Sequence, residues 1–114
     1  MKLILVMIFL VSMSSLSAIN LTYDKVLRNL RGIKAYENED FTEAQREFED
    51  NVINHPGEGP LHLNLGNTHY RAGNLDAAIT EYLRALRDEE FPNKSNAYHN
   101  LGNALFEQQE YKEA

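Results

Sequence analysis

Along most of the chain apolar residues recur at spacings of three and four, the period of helices with one buried face. Leu61, Leu65, His69 and Ala72 fall on one such face, and Ala78, Ile79, Tyr82, Ala85 and Leu86 form the next. The break between them, Gly73-Asn74, predicts a turn. Glycine suits a left-handed helix end, and asparagine can cap the following helix through its side-chain oxygen. Gly59-Pro60 opens the first of these helices, with proline at the first helical position, where no donor is lost. Upstream, Phe41, Ala44, Phe48, Val52 and Ile53 make a third stripe that ends at His55-Pro56-Gly57. Asp40 followed by Glu43 predicts a capping box at its start. Downstream, Ser95 is placed to cap a helix whose stripe is Tyr98, Leu101, Leu105 and Phe106.

These elements repeat. Asn64-Leu65-Gly66-Asn67 returns as Asn100-Leu101-Gly102-Asn103, and Gly32 holds the same slot in a degenerate first copy. An alanine follows each glycine twelve positions on: Ala44 after Gly32, Ala78 after Gly66, Ala114 after Gly102. A period near 34 with matched small residues marks an array of helix pairs. The copies run 25–58, 59–94 and 95–114, the last incomplete. The small residues predict a close approach of paired backbones, so a leucine at Gly66 or Ala78 would overpack the pair by about 1–3 kcal/mol or more.

The first residues stand apart from this pattern. Lys2, the apolar run from Leu3 to Val11, and the small residues up to Ala18 have the layout of a secretory signal. Ser15-Leu16-Ser17 places cleavage after Ser17, leaving 18–24 as a short lead-in. The alternatives are a buried first helix or an uncleaved anchor, and only the latter would put the chain in a membrane. The apolar run itself is shorter than the roughly 20 residues a spanning helix needs. Removal of residues 1–17 takes away Lys2 and moves the net charge from −6 to −7. An acidic chain without a basic cluster is a poor ligand for nucleic acid or anionic lipid. There is no cysteine, so neither a disulfide nor a cysteine-linked lipid is available.

At the repeated residues the chain resembles the tetratricopeptide repeat family. Leu65-Gly66, Tyr70, Gly73, Ala78, Tyr82 and Ala85 fall on its signature positions in the second copy. Tyr98, Leu101-Gly102, Tyr111 and Ala114 do so in the third, and Gly32, Tyr36, Phe41, Ala44, Phe48 and Pro56 in the first. Arg31 and Asn51 depart from it, and the loop Asp88 to Lys94 is two residues longer than the pattern requires. The resemblance implies an all-α solenoid of helix-turn-helix units, about two and a half repeats behind the signal segment. It also implies a concave groove lined by the first helix of each pair.

The groove so implied contains Asn29, Ile33, Tyr36 and Glu37, then Leu63, Asn67, Tyr70 and Arg71, then His99, Asn103, Phe106 and Glu107, with Asn64 and Asn100 beside it. An asparagine donates and accepts at once, so a row of them can pair with the backbone of an extended peptide. The same asparagines could equally bond to neighbouring helices. Asn64, Asn67, Tyr70, Arg71, Asn100, Asn103 and Phe106 are therefore the candidate partner-binding residues. Arg71 is the single cation among them, which disfavours a clamp for a terminal carboxylate. His62 and His69 are seven apart, about 10.5 Å along a helix, far for one metal ion. No grouping predicts catalysis, a metal or a cofactor.

The reading is an exported, non-enzymatic adaptor for a protein or peptide partner, periplasmic or at the envelope if bacterial. The run from Glu89 to Phe106 and the general layout are also similar to the tetratricopeptide subunits of bacterial Bat aerotolerance operons. That similarity implies assembly with von Willebrand factor A-domain proteins. The last copy begins a second helix at Ala114 that would cover Tyr98, Leu101 and Leu105, which points to the N-terminal part of a larger protein. The other possibility is that the final helix serves as a cap.

Overall fold

A computed structural model describes all 114 residues. It contains five helices and no strand: α1 Lys2–Glu37, α2 Phe41–Asn54, α3 Gly59–Arg71, α4 Leu75–Ala85 and α5 Lys94–Glu113. Each helix packs on the next in sequence, and the first helices of adjacent pairs, α1 with α3 and α3 with α5, also touch. The architecture is the all-α solenoid that the repeat predicts.

Three small cores follow one another along the array. Ala35, Ala44, Phe48 and Leu65 join α1, α2 and α3. Ala78, Tyr82 and Ala104 join α4 to α5, with Leu63 and Tyr70 packed beside them. Ala85, Phe91 and Ala97 form the third. Phe91 lies in the long loop, yet it is buried against Gly59 and Ala85 and anchors that loop to the body. Asp88 ties the loop down as well, accepting hydrogen bonds from the Gly59 amide at 2.7 Å and the Glu90 amide at 3.0 Å. The acidic loop is thus partly built into the fold.

The glycines have a more specific role than backbone contact. A Cβ on Gly32 would lie 2.5 Å from the Phe48 ring, and one on Gly66 would lie 2.7 Å from the Tyr82 ring. Each glycine is the seat of an aromatic ring from the second helix of its pair. Gly102 has nothing within 4 Å, and Ala114 is exposed at the end of α5. The third Gly/Ala pair therefore makes no contact.

Several local expectations are corrected. α1 runs without interruption through the signal-like segment, the lead-in and the first repeat helix. Residues 1–23 are all exposed, and the helix, whose most apolar 18-residue stretch has a mean hydropathy of 2.2, is by length and composition long and apolar enough to cross a membrane. A signal sequence has the same character. Pro60 is the second residue of α3, after Gly59, and Asn93, not Ser95, precedes α5. Ser95 Oγ instead donates to Asn93 Oδ1 at 3.3 Å. Asp40 caps α2, accepting from the Glu43 amide at 3.2 Å, but the Glu43 carboxylate turns to Arg46 and leaves the box half made. Asn74 makes no side-chain cap, although Gly73 has the expected left-handed φ of +86°. In the first copy Glu39 fills that left-handed position at φ +60° without the freedom of glycine.

Stripes shift too. Ile53 and Ala72 are exposed, whereas Glu47, Asn51, Thr68 and Glu81 are buried. Asn51 uses its place to donate to the Lys25 carbonyl at 3.0 Å, stitching α2 to α1. On α5 the buried face is Ala97 and Ala104 with half-buried Leu101, while Tyr98, Leu105 and Phe106 are exposed. α5 also runs straight through Gln109, seven residues after Gly102, where the earlier copies turn at Glu39 and Gly73. No separate second helix forms there.

Candidate partner-binding groove

α1, α3 and α5 lie side by side, α1 touching α3 and α3 touching α5. Between α3 and α5 lies a cavity of about 230 Å³ lined by Tyr36, Asn67, Tyr70, Arg71, Tyr82, Asn100 and Asn103. Five of the seven candidate residues meet here: Asn67, Tyr70, Arg71, Asn100 and Asn103. Asn64 lines a smaller neighbouring space of about 50 Å³ with Ile33, Tyr36, Phe48 and Asn67. Phe106 stands outside the lining, 64% exposed on α5.

The asparagines bond across helices. Asn64 Nδ2 donates to Asn29 Oδ1 at 3.0 Å, linking α3 to α1. Asn100 Nδ2 donates to Asn67 Oδ1 at 2.8 Å, linking α5 to α3. The same oxygen accepts from the Tyr82 hydroxyl at 2.9 Å. Asn103 has only its own helix, with Nδ2 at 3.3 Å from His99 Nε2. Each of these side chains keeps polar atoms that no protein group engages, so bonding between helices and display toward the groove coexist.

Arg71 sits over two rings, its guanidinium carbon 5.5 Å from the Tyr36 centroid and 5.2 Å from that of Phe41. The rings meet edge to face at 5.8 Å. Glu39 faces the same guanidinium at 3.2 Å. The Tyr70 hydroxyl donates to Glu107, and that bond, with some burial, raises the Tyr70 pKa. Burial first, then the neighbouring tyrosines, raises that of Tyr82. Tyr82 was not legible as a groove residue, nor Phe41 and Glu39 as partners of Arg71. The available signal was the hydroxyl of Tyr82 on a buried stripe, since a buried tyrosine normally finds a partner.

Behind the groove, His62 is buried with Nδ1 2.7 Å from Glu81 Oε2 and Nε2 2.7 Å from the Pro56 carbonyl oxygen. The Glu81 bond, followed by the Pro56 bond, overcomes burial and raises its pKa. Burial pulls the Glu81 carboxyl upward, but His62 and Arg84 outweigh it and leave the group below its usual range. Both histidine nitrogens are thus engaged by α4 and by the turn before α3. No three His, Cys, Asp or Glu side chains gather closely enough to hold a metal ion.

The tetratricopeptide repeat family model matches residues 29–93 and again 63–114. The two matches together take in both complete helix pairs from Asn29 onward, and α5. A search of the curated proteins found no match. The family's repeats are typically non-catalytic scaffolds for protein–protein interaction. On a match that spans well over half of its length, this chain belongs to the tetratricopeptide repeat family.

Proposed function

We infer that the chain is an exported adaptor that holds an extended peptide segment of a protein partner in the groove between α3 and α5. The observation that carries this is the cavity where Asn67, Asn100 and Asn103 keep free polar atoms beside Tyr36, Tyr70 and Arg71. Paired donors and acceptors on a rigid helix face suit a peptide backbone, and the rings supply apolar contact. Export rests on the signal-like start, with cleavage after Ser17, and membrane association arises only if that segment is retained or through partners.

Asn103 engages no other helix, so Asn103→Ala removes a groove contact without unstitching the array. It should weaken recovery of the partner several-fold while the melting curve stays in place, and Asn67→Ala with Asn103→Ala should abolish recovery. Unchanged recovery by the double variant rejects the groove. N-terminal sequencing of exported protein tests cleavage, with Ala18 the expected first residue. The similarity over Glu89 to Phe106 supports a cell-envelope complex of Bat type, with von Willebrand factor A-domain proteins as partners. Co-purification of such a protein from native envelopes tests it.

A second reading takes the chain as the N-terminal part of a larger repeat protein whose activity lies further on. The uncovered Gly102 face of α5 favours it. The reading frame beyond residue 114 decides, and an immediate stop codon rejects it.

A further inference from the structure

The Tyr82 ring lies against Gly66, and Tyr82 lines the groove cavity. Only 1% of this residue is exposed, and its hydroxyl donates to Asn67 Oδ1. Asn100 Nδ2 donates to the same oxygen. Two donors from two other helices therefore converge on one side of the Asn67 amide. Its NH2 group makes no hydrogen bond within the molecule and is not among the buried unpaired atoms. Asn67 itself lines the groove cavity with Tyr36 and Tyr70.

The first copy supplies an internal comparison. There the ring seated on the glycine is Phe48, which has no hydroxyl, and the residue after that glycine is Ile33, which has nothing to bond. In the second copy both change together: the ring is Tyr82 and the following residue is Asn67. The hydroxyl and the amide form a matched pair at the place where the groove cavity opens.

We propose that Tyr82 is a positioning residue that holds the Asn67 side chain with its NH2 toward the groove, so that this point of the groove receives an oxygen acceptor, the backbone carbonyl of the bound segment. A carboxylate is the charged alternative among oxygen acceptors. The cavity offers it no surplus of positive charge, because Arg71 already faces Glu39 and Tyr70 is tied to Glu107. The proposal rests on the groove being the partner site, and it adds which chemistry that site selects and which buried residue sets it.

The test uses the full-length chain labelled with 15N on its side-chain amides. In the free protein, the Asn67 NH2 protons should show cross-relaxation with the rings of Tyr36 and Tyr70. Contacts to the Tyr82 hydroxyl edge instead would mean that the amide is turned over, which overturns the positioning role. N-acetylglycine N-methylamide and sodium acetate are then titrated separately. The blocked amide should shift the Asn67 NH2 signals, and Tyr82→Phe, whose ring Phe48 shows the fold accepts, should weaken that response about two- to tenfold, the worth of one hydrogen bond. Equal responses in wild type and Tyr82→Phe overturn the positioning role. A stronger, salt-sensitive response to acetate overturns the carbonyl assignment. No response to either probe, with the amide orientation confirmed, means that the groove reading itself has failed.

Discussion

Glycines Gly66 and Gly102 occupy the same slot of the same four-residue motif, and alanine should have opposite effects at the two. A Cβ at Gly66 would lie 2.7 Å from Tyr82 Cδ1 and Cε1, and 3.4 Å from the Ala78 carbonyl oxygen. Carbon atoms prefer about 3.5–4.0 Å, so the overlap approaches 1 Å. The ring cannot swing aside cheaply, being buried and bonded to Asn67. Overpacking costs about 1–3 kcal/mol, and disturbing the Tyr82–Asn67 bond adds about 1 kcal/mol. The helical preference of alanine over glycine returns only about 0.8–1 kcal/mol. Gly66→Ala should therefore lose about 1–3 kcal/mol, a fall in Tm of roughly 5–20 °C for a domain of this size. At Gly102 nothing lies within 4 Å, so only the helical gain remains, and Gly102→Ala should raise Tm by about 4–8 °C. Thermal unfolding followed by circular dichroism reads both. If Gly102→Ala destabilises as much as Gly66→Ala, a helix covers α5 and the account of its open face is wrong. A neutral Gly66→Ala would refute the seating of Tyr82.

Other consequences can be checked alongside. The raised pKa of His62 means its contribution is complete below the unfolded value of about 6.5 and is lost as pH climbs through the folded pKa. Tm should accordingly fall on the alkaline side, and His62→Asn should flatten that slope; an unchanged slope sinks the idea. Asp40→Ala should cost about 0.5–2 kcal/mol through its lost cap, whereas Asn74→Ala, which removes no side-chain cap, should cost clearly less in denaturant titration. Phe91→Ala should cost about 3–5 kcal/mol, as for a core aromatic, and should expose the loop from Asp88 to Lys94 to protease. A loss under ~1 kcal/mol would show that the loop is not anchored there.

The helix pairs, the turn at Gly73 and the cap at Asp40 were legible because each depends on residues within one or two turns of each other. What failed depends on partners far along the chain. Tyr98, Leu105 and Phe106 are as apolar as any core stripe, and only the position of α4 makes Ala97 and Ala104 the buried face instead. Phe91 sits among acidic and turn residues, so no period marks it as core. Glu39 takes a left-handed backbone that sequence alone would assign to glycine. Candidate groove residues were found through the repeat register, which carries a position from one copy to the next. Their hydrogen-bonding directions were not, because the register does not say that Tyr82 would reach Asn67.

The unbroken α1 has a mechanical meaning. At 36 residues it is about 54 Å long. One end is bare and apolar, while the other carries Asn29, Ile33 and Tyr36 into the wall beside the groove. No turn interrupts it. Anything that gripped the apolar end would hold a shaft, and a tilt applied there would be carried along it toward Tyr36. Severing the shaft after Ser17 would release the receptive surface from any such orientation and let the array meet its partner from every direction.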